Sequence, residues 1–227
     1  RTEASTLVPR IQQLYVAGGG YWQCRRPDGS LVPVRHIWDF IHTLNFLHGD
    51  LPRAQVTEMI GFFQRELMTP AWLSALSPLD EDTGFSLRPD HQWNGSYPAW
   101  VSLAGSALLK AGHADVFAAW LPGLAATSRQ GPFSQAHFVE SAAPTAAGGA
   151  RKAPTEWPYI NDWTCLSAGN FFETVVLDLF GLDPGYDRLT ARPQLHRFDP
   201  AAELHGLRWQ GAEHRITAAG AVTRLNS

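Results

Sequence analysis

Apolar residues recur along the chain at two different spacings. In residues 3–16, Ala4, Leu7, Val8, Ile11, Leu14 and Tyr15 share one helical stripe that Gly18-Gly19-Gly20 ends. Tyr21–Arg25 and Leu31–Val34 flank Pro27-Asp28-Gly29-Ser30, which predicts a hairpin with a Pro-Asp-Gly turn. Residues 35–48 carry apolar or aromatic groups nearly all round (Ile37, Trp38, Phe40, Ile41, Leu44, Phe46, Leu47), the mark of a helix buried on most sides. Residues 53–68 instead gather Val56, Met59, Ile60, Phe63 and Leu67 on one stripe backed by charge, which predicts a solvent-backed helix.

The pattern recurs. Residues 70–96 read mostly as loop. Residues 98–111 predict a second buried helix whose one charge is Lys110, and 114–126 a second amphipathic one. A long loop over 128–162 precedes a third buried helix at 163–180. Gly49, Gly112 and Gly181 follow the three buried helices and are expected to take the left-handed conformation that ends a helix. After Pro184, four short runs (Leu189–Gln194, Leu204–Gln210, His214–Ala218 and Ala221–Leu225) predict three or four strands.

This alternation predicts a mainly α chain. The expected architecture is an α/α toroid, (α/α)6-barrel-like, with about three hairpins present and a small C-terminal antiparallel β segment. Residues 1–183 form the helical portion and 184–227 the strands. The chain begins at Arg1 with no signal-peptide pattern. The expectation is therefore the C-terminal half of a barrel, its other half lying upstream in the same protein or in a second chain.

Composition narrows the function classes. Lys+Arg 18 against Asp+Glu 21 gives a net charge of −3, which argues against a nucleic-acid surface or a polybasic membrane patch. No apolar run approaches the ~20 residues of a membrane-spanning helix. Charged residues are 17% of the chain, below the roughly 25% of ordinary domains, and there are nine tryptophans. Two cysteines, Cys24 and Cys165, make no disulfide framework.

The loops before the buried helices hold the candidate chemistry. The first offers Trp22, Arg35, His36 and Asp39; the second Asp90, His91, Gln92, Trp93 and Tyr97; the third Gln135, His137, Glu140, Glu156, Trp157 and Asp162. Aromatic faces, amides and carboxylates converging at one mouth suit a sugar, whose ring has apolar faces and hydroxyl edges. The expected partner is an oligosaccharide, polysaccharide or other glycoside, and no cofactor or metal is expected.

Gln92-Trp93-Asn94-Gly95-Ser96-Tyr97-Pro98-Ala99-Trp100, followed by a small-residue helix ending Ala111-Gly112-His113, resembles the trehalase signature. In that signature a Gln-Trp-Asp segment precedes an Asn-x-Trp-Pro-Pro inner helix ending at glycine. Glu140 sits where trehalases and related processing α-glucosidases keep a glutamate in a Glu-Lys-Tyr-Asp-like segment. Asn161-Asp162-Trp163-Thr164 resembles their Gly-x-Gly-Trp-Thr-Asn helix start, and Pro33–Leu47 with Leu51-Pro52-Arg53-Ala54 their preceding inner helix and turn. The resemblance spans residues 20–181. Asn94 stands in place of the aspartate, and Phe138-Val139-Glu140-Ser141 lacks the Tyr-Asp tail, so a divergent member is indicated. The resemblance implies a six-hairpin inverting glycoside hydrolase, with Glu140 as general base and an upstream aspartate as general acid.

Inversion needs a protonated carboxyl and a water-holding carboxylate about 6.5–9.5 Å apart, which loops from different hairpins can supply. Within this chain Asp39 and Asp90 are the acids best placed beside His and aromatic neighbours. Each candidate also has a plain structural reading. Asp39 lies at a helix start and favours the dipole. Asp90 follows Arg88-Pro89, Asp162 is an N-cap, and Glu140 is a loop acid in water. Two other functional readings stay open: a glycan-binding or scaffold helical toroid without turnover, and a metal-dependent toroid enzyme using His36, His91 and His137.

Overall fold

The computed structural model describes residues 2–84, 95–128, 137–139, 150–152 and 167–225. Helix α1 spans Thr2–Gln12. It stops short of the predicted residue 16 because β1 (Tyr15–Val16) pairs with β2 (Tyr21–Arg25). β2 also pairs with β3 (Leu31–Val34), in the register Trp22↔Val34 to Arg25↔Leu31. Gly29, at φ 87°, closes that predicted turn, and the Asp28 carboxylate accepts from the backbone and hydroxyl of Ser30.

Next come α2 (Ile37–Leu47) and α3 (Arg53–Phe62), the latter continued by a π-helical turn at Phe63–Leu67. β4 (Gly95–Ser96) leads into α4 (Pro98–Lys110), which α5 (Ala114–Ser128) follows. β5 (His137–Val139) pairs with β4 and with β6 (Ala150–Lys152). Helix α6 (Ser167–Glu173) runs into a second π-helical turn at Thr174–Leu179. The chain then makes β7 (Leu182–Pro184) and β8 (Leu189–Ala191), which pair together. β9 (Glu203–Trp209), β10 (Ala212–Thr217) and β11 (Val222–Leu225) form an antiparallel sheet with β10 in the middle.

The expectation of a mainly α toroid is corrected here. The described residues are 44% helical and 24% strand, with three antiparallel sheets of three strands and one of two. Two features of the sequence explain the shift. Gly- and Pro-bounded segments close into hairpins between and after the helices, and the stripe over residues 3–16 ends in a strand. One glycine expectation is corrected too. Gly112 and Gly181 are left-handed, at φ 83° and 59°, but Gly49 is not. α2 ends on a right-handed His48, and Asp50 N–H bonds Leu47 O instead.

α4 is the centre of the fold. It packs on α2 on one side and on α6 with its π-helical turn on the other. Ala99, Ser102, Ala104, Gly105, Ser106 and Ala107 are buried, because small side chains let neighbours approach from both sides. A side chain at Gly105 would overlap the Phe117 ring of α5. Phe40 stacks on Phe63, which meets the edge of Trp120. Two buried indoles keep their N–H bonded, Trp72 to Ser96 O at 3.1 Å and Trp120 to Thr69 O at 2.8 Å, while the buried Trp22 N–H has no partner among the described residues. The same core runs on past residue 184. Leu195, Ile216 and Ala218 join it beside Val176 and Leu179, while Arg192 N–H bonds Gly181 O and Gln194 N–H bonds Leu179 O.

Candidate functional site

The N-terminal ends of α2 and α4 are laced into one rim by an extended segment between them. Ile37 N–H bonds Ala75 O, Ser77 N–H bonds Arg35 O, and Ala75 N–H bonds Gly95 O. β4 in turn pairs with β5, so pieces of all three predicted loops meet here. His36 caps α2, its Nδ1 accepting from Trp38 N–H at 3.2 Å. An accepting Nδ1 puts the proton of the neutral ring on Nε2. Tyr97 occupies the corresponding cap position of α4 and is buried.

Trp100 ties the two caps together. Its ring meets His36 edge-on at 5.7 Å, Tyr97 at 6.2 Å and Trp38 at 5.5 Å. Trp38 remains 42% exposed and stacks on His42 at 4.5 Å, which stacks in turn on Phe46. These three rings sit at positions i, i+4 and i+8 of α2. The helix expected to be buried on most sides therefore carries an exposed aromatic stripe.

Asp39 lies in the first turn of α2, half-buried. Burial pushes its carboxyl up from the ordinary 3.8 to about 6. Among the described residues no hydrogen bond or ion pair opposes that shift. His42, one turn on, is held below the usual imidazole range by burial and is neutral near pH 7.

The other predicted residues are placed differently. Trp22 is buried in the core, with its ring against Tyr15. Arg35 reaches both Glu66 oxygens, at 2.7 and 2.6 Å, and Tyr21 Oη at 3.1 Å, with its guanidinium over the Tyr21 ring. Ser77 Oγ donates to the same carboxylate at 2.6 Å. Arg35 thus clamps the start of α2 to the π-helical turn after α3. His137 contributes its backbone to β5. Asp90, His91, Gln92, Trp93, Gln135, Glu140, Glu156, Trp157 and Asp162 lie outside the described residues.

Trp38, His42 and Trp100 are the rim residues that sequence reasoning passed over as helix interior. For Trp38 and His42 the signal was present: Trp38, His42 and Phe46 recur every four residues along α2, a stripe with its own direction. Among the described residues no group of three or more His, Cys, Asp or Glu side chains is placed to hold a metal ion, and no helix is long and apolar enough to cross a membrane. No protein-family model matches the chain, and no curated protein matches it in sequence.

Proposed function

We propose that the rim is a carbohydrate site and that the chain works as a glycoside hydrolase, with Asp39 as general acid. The observation that carries this is the Asp39 carboxyl, without a partner among the described residues, half-buried and raised to about 6. A carboxyl tuned in this way holds a proton under mildly acidic conditions and gives it up on demand. Asp39 donates that proton to the glycosidic oxygen as the bond from this oxygen to the anomeric carbon breaks. A carboxylate on the opposite face takes a proton from water, which attacks the anomeric carbon with inversion. Glu140 is assigned that role by the family resemblance. Trp38 offers the aromatic surface that covers the apolar face of a sugar ring.

This proposal rests on the chemistry of the rim and needs no closed ring of helices. Its test is turnover of a panel of aryl glycosides and disaccharides by the unmodified chain, Asp39→Asn and Glu140→Gln. Asp39→Asn is expected to lower kcat at least a hundredfold, with the fold intact by circular dichroism. Hydrolysis by Asp39→Asn at the unmodified rate removes Asp39 from the mechanism. The exposed Trp38 also favours a second reading, glycan binding without turnover. Saccharide binding with no product from any member of the panel would establish that reading.

A further inference from the structure

We infer that the groove between α2, α4 and α6 is a separate binding site for one neutral, polyhydroxylated ring, a monosaccharide or one unit of a longer glycan. The choice of a sugar rests on the carbohydrate reading above; the site itself does not. A cavity of about 220 Å³ opens there, below the Trp38 end of the aromatic stripe. At 1.5 Å per residue its Asn45 lies about 9 Å along α2 from Asp39, so the groove adjoins the rim at the His42 ring but is centred away from Asp39.

The polar groups of the groove are held in place before any ligand arrives. Asn45 donates both amide hydrogens to backbone carbonyls, Ile41 O at 2.8 Å and Leu103 O at 2.9 Å. Its Oδ1 is thereby aimed at Lys110, whose Nζ donates to it at 3.1 Å. Lys110 Nζ stands 3.9 Å from Asp178 Oδ1, beyond hydrogen-bond reach, so among the described residues two ammonium hydrogens are left for other acceptors. The Ser106 hydroxyl donates to the other Asp178 oxygen, and among the described residues Oδ1 accepts no hydrogen bond. Glu173 adds a second carboxylate at the edge, and the His42 and Phe46 rings form one wall.

The charges select the ligand. One ammonium faces two carboxylates, with a neutral His42, so an anion such as a phosphate is repelled. A small ammonium ion is drawn by the two carboxylates but must sit beside Lys110, which Asn45 holds in the cavity. A neutral polyol satisfies both kinds of group: its oxygens accept from Lys110, its hydroxyls donate to Asp178 and Glu173, and its apolar face meets Phe46.

The test uses the 15N-labelled full chain titrated with D-glucose, D-galactose, D-mannose and D-xylose, with ethanolamine as the cationic control. The Asn45 side-chain amide is the reporter, its resonance assigned by its loss in Asn45→Ser. At least one sugar is expected to shift that resonance saturably, in the unmodified chain and equally in Asp39→Asn. Lys110→Met is expected to weaken the fitted affinity at least tenfold. Where Lys110→Met fails to fold, Glu173→Gln, on the exposed edge, is expected to weaken it at least threefold. No saturable shift with any sugar, or unchanged affinity in the folded groove variant, overturns the inference. A saturable shift with ethanolamine alone overturns the ligand class. A sugar response at Asn45 with no glycoside hydrolysed by the chain leaves the groove standing and removes the hydrolase reading.

Discussion

Arg35 grips both carboxylate oxygens of Glu66 with one guanidinium nitrogen while its other terminal nitrogen bonds Tyr21. Sequence reasoning places Arg35 on a substrate wall; in the fold it joins two secondary-structure elements. The Glu66 side chain is only 9% exposed, and Ser77 is its one other hydrogen-bond donor among the described residues. Arg35→Ala strands that carboxylate. The expected loss is about 2–3 kcal/mol, below the ~3–5 kcal/mol of a fully buried pair. Urea unfolding measures it, and a loss under 0.5 kcal/mol would show that the clamp carries no stability.

Asp39 predicts an inverse relation between activity and stability. The folded chain holds the Asp39 proton more tightly than the unfolded chain does, about 6 against 3.8. Its contribution to stability is therefore fullest below pH 3.8 and declines as pH rises through about 6. At pH 7 the ionised carboxylate is a liability, and Asp39→Asn is expected to raise stability by on the order of 1–2 kcal/mol, after allowing for the favourable helix-start position. The gain should vanish near pH 4. Thermal melts of both chains at pH 4 and pH 7 check this, and equal differences at the two pH values would contradict it.

The same ionisation sets a pH profile for turnover. A general acid must carry its proton in the free enzyme, so kcat/KM is expected to fall tenfold per pH unit above about 6. A profile flat from pH 5 to 8 would assign the acid to another group.

The three helix-ending glycines separate into three outcomes. Gly49→Ala meets open space at an ordinary φ and is expected to be neutral or to stabilise by about 0.4–1 kcal/mol. Gly112→Ala has room but a φ of 83°, which costs about 1–2 kcal/mol. Gly181→Ala combines φ 59° with a Cβ 2.2 Å from Arg192 O, and is expected to lose about 3 kcal/mol or more. Chemical denaturation of the three variants ranks them, and an equal effect at Gly49 and Gly181 would refute the conformational distinction.

Trp38→Ala separates a binding surface from a core position. It is 42% exposed, with the rings of His42 and Trp100 beside it. The expected stability loss is about 1 kcal/mol, against the ~3–5 kcal/mol of a core tryptophan. KM for a glycoside should rise several-fold. A large fall in melting temperature with KM unchanged would make Trp38 structural.

The helices were legible because their apolar spacing is local information. α2, α4 and α5 begin and end within two residues of the predicted limits. The hairpin of β2 and β3 was equally legible, since its turn carries a Pro-Asp-Gly signal. β1, β4 and β5 were not, because strands of two or three residues pair across distance and leave no period of their own. The toroid failed as a whole-chain inference for a related reason. Helix order along the chain does not record how much of the intervening sequence becomes sheet. At the rim, Asp39, His36 and Tyr97 could be named from sequence, but the role of Arg35 depends on a glutamate thirty-one residues away.

The core that runs past residue 184 has a consequence for synthesis. When Pro184 leaves the ribosome, α2, α4 and α6 are complete, yet Leu195, Ile216 and Ala218 are still to come. Val176 and Leu179 then lack part of their apolar cover, and the carbonyls of Leu179 and Gly181 lack their backbone donors. The nascent helices must wait uncovered until β9 to β11 emerge. Chaperone demand should therefore peak in the interval between Pro184 and Ala218, and a chain stalled within it should be the species most prone to aggregate.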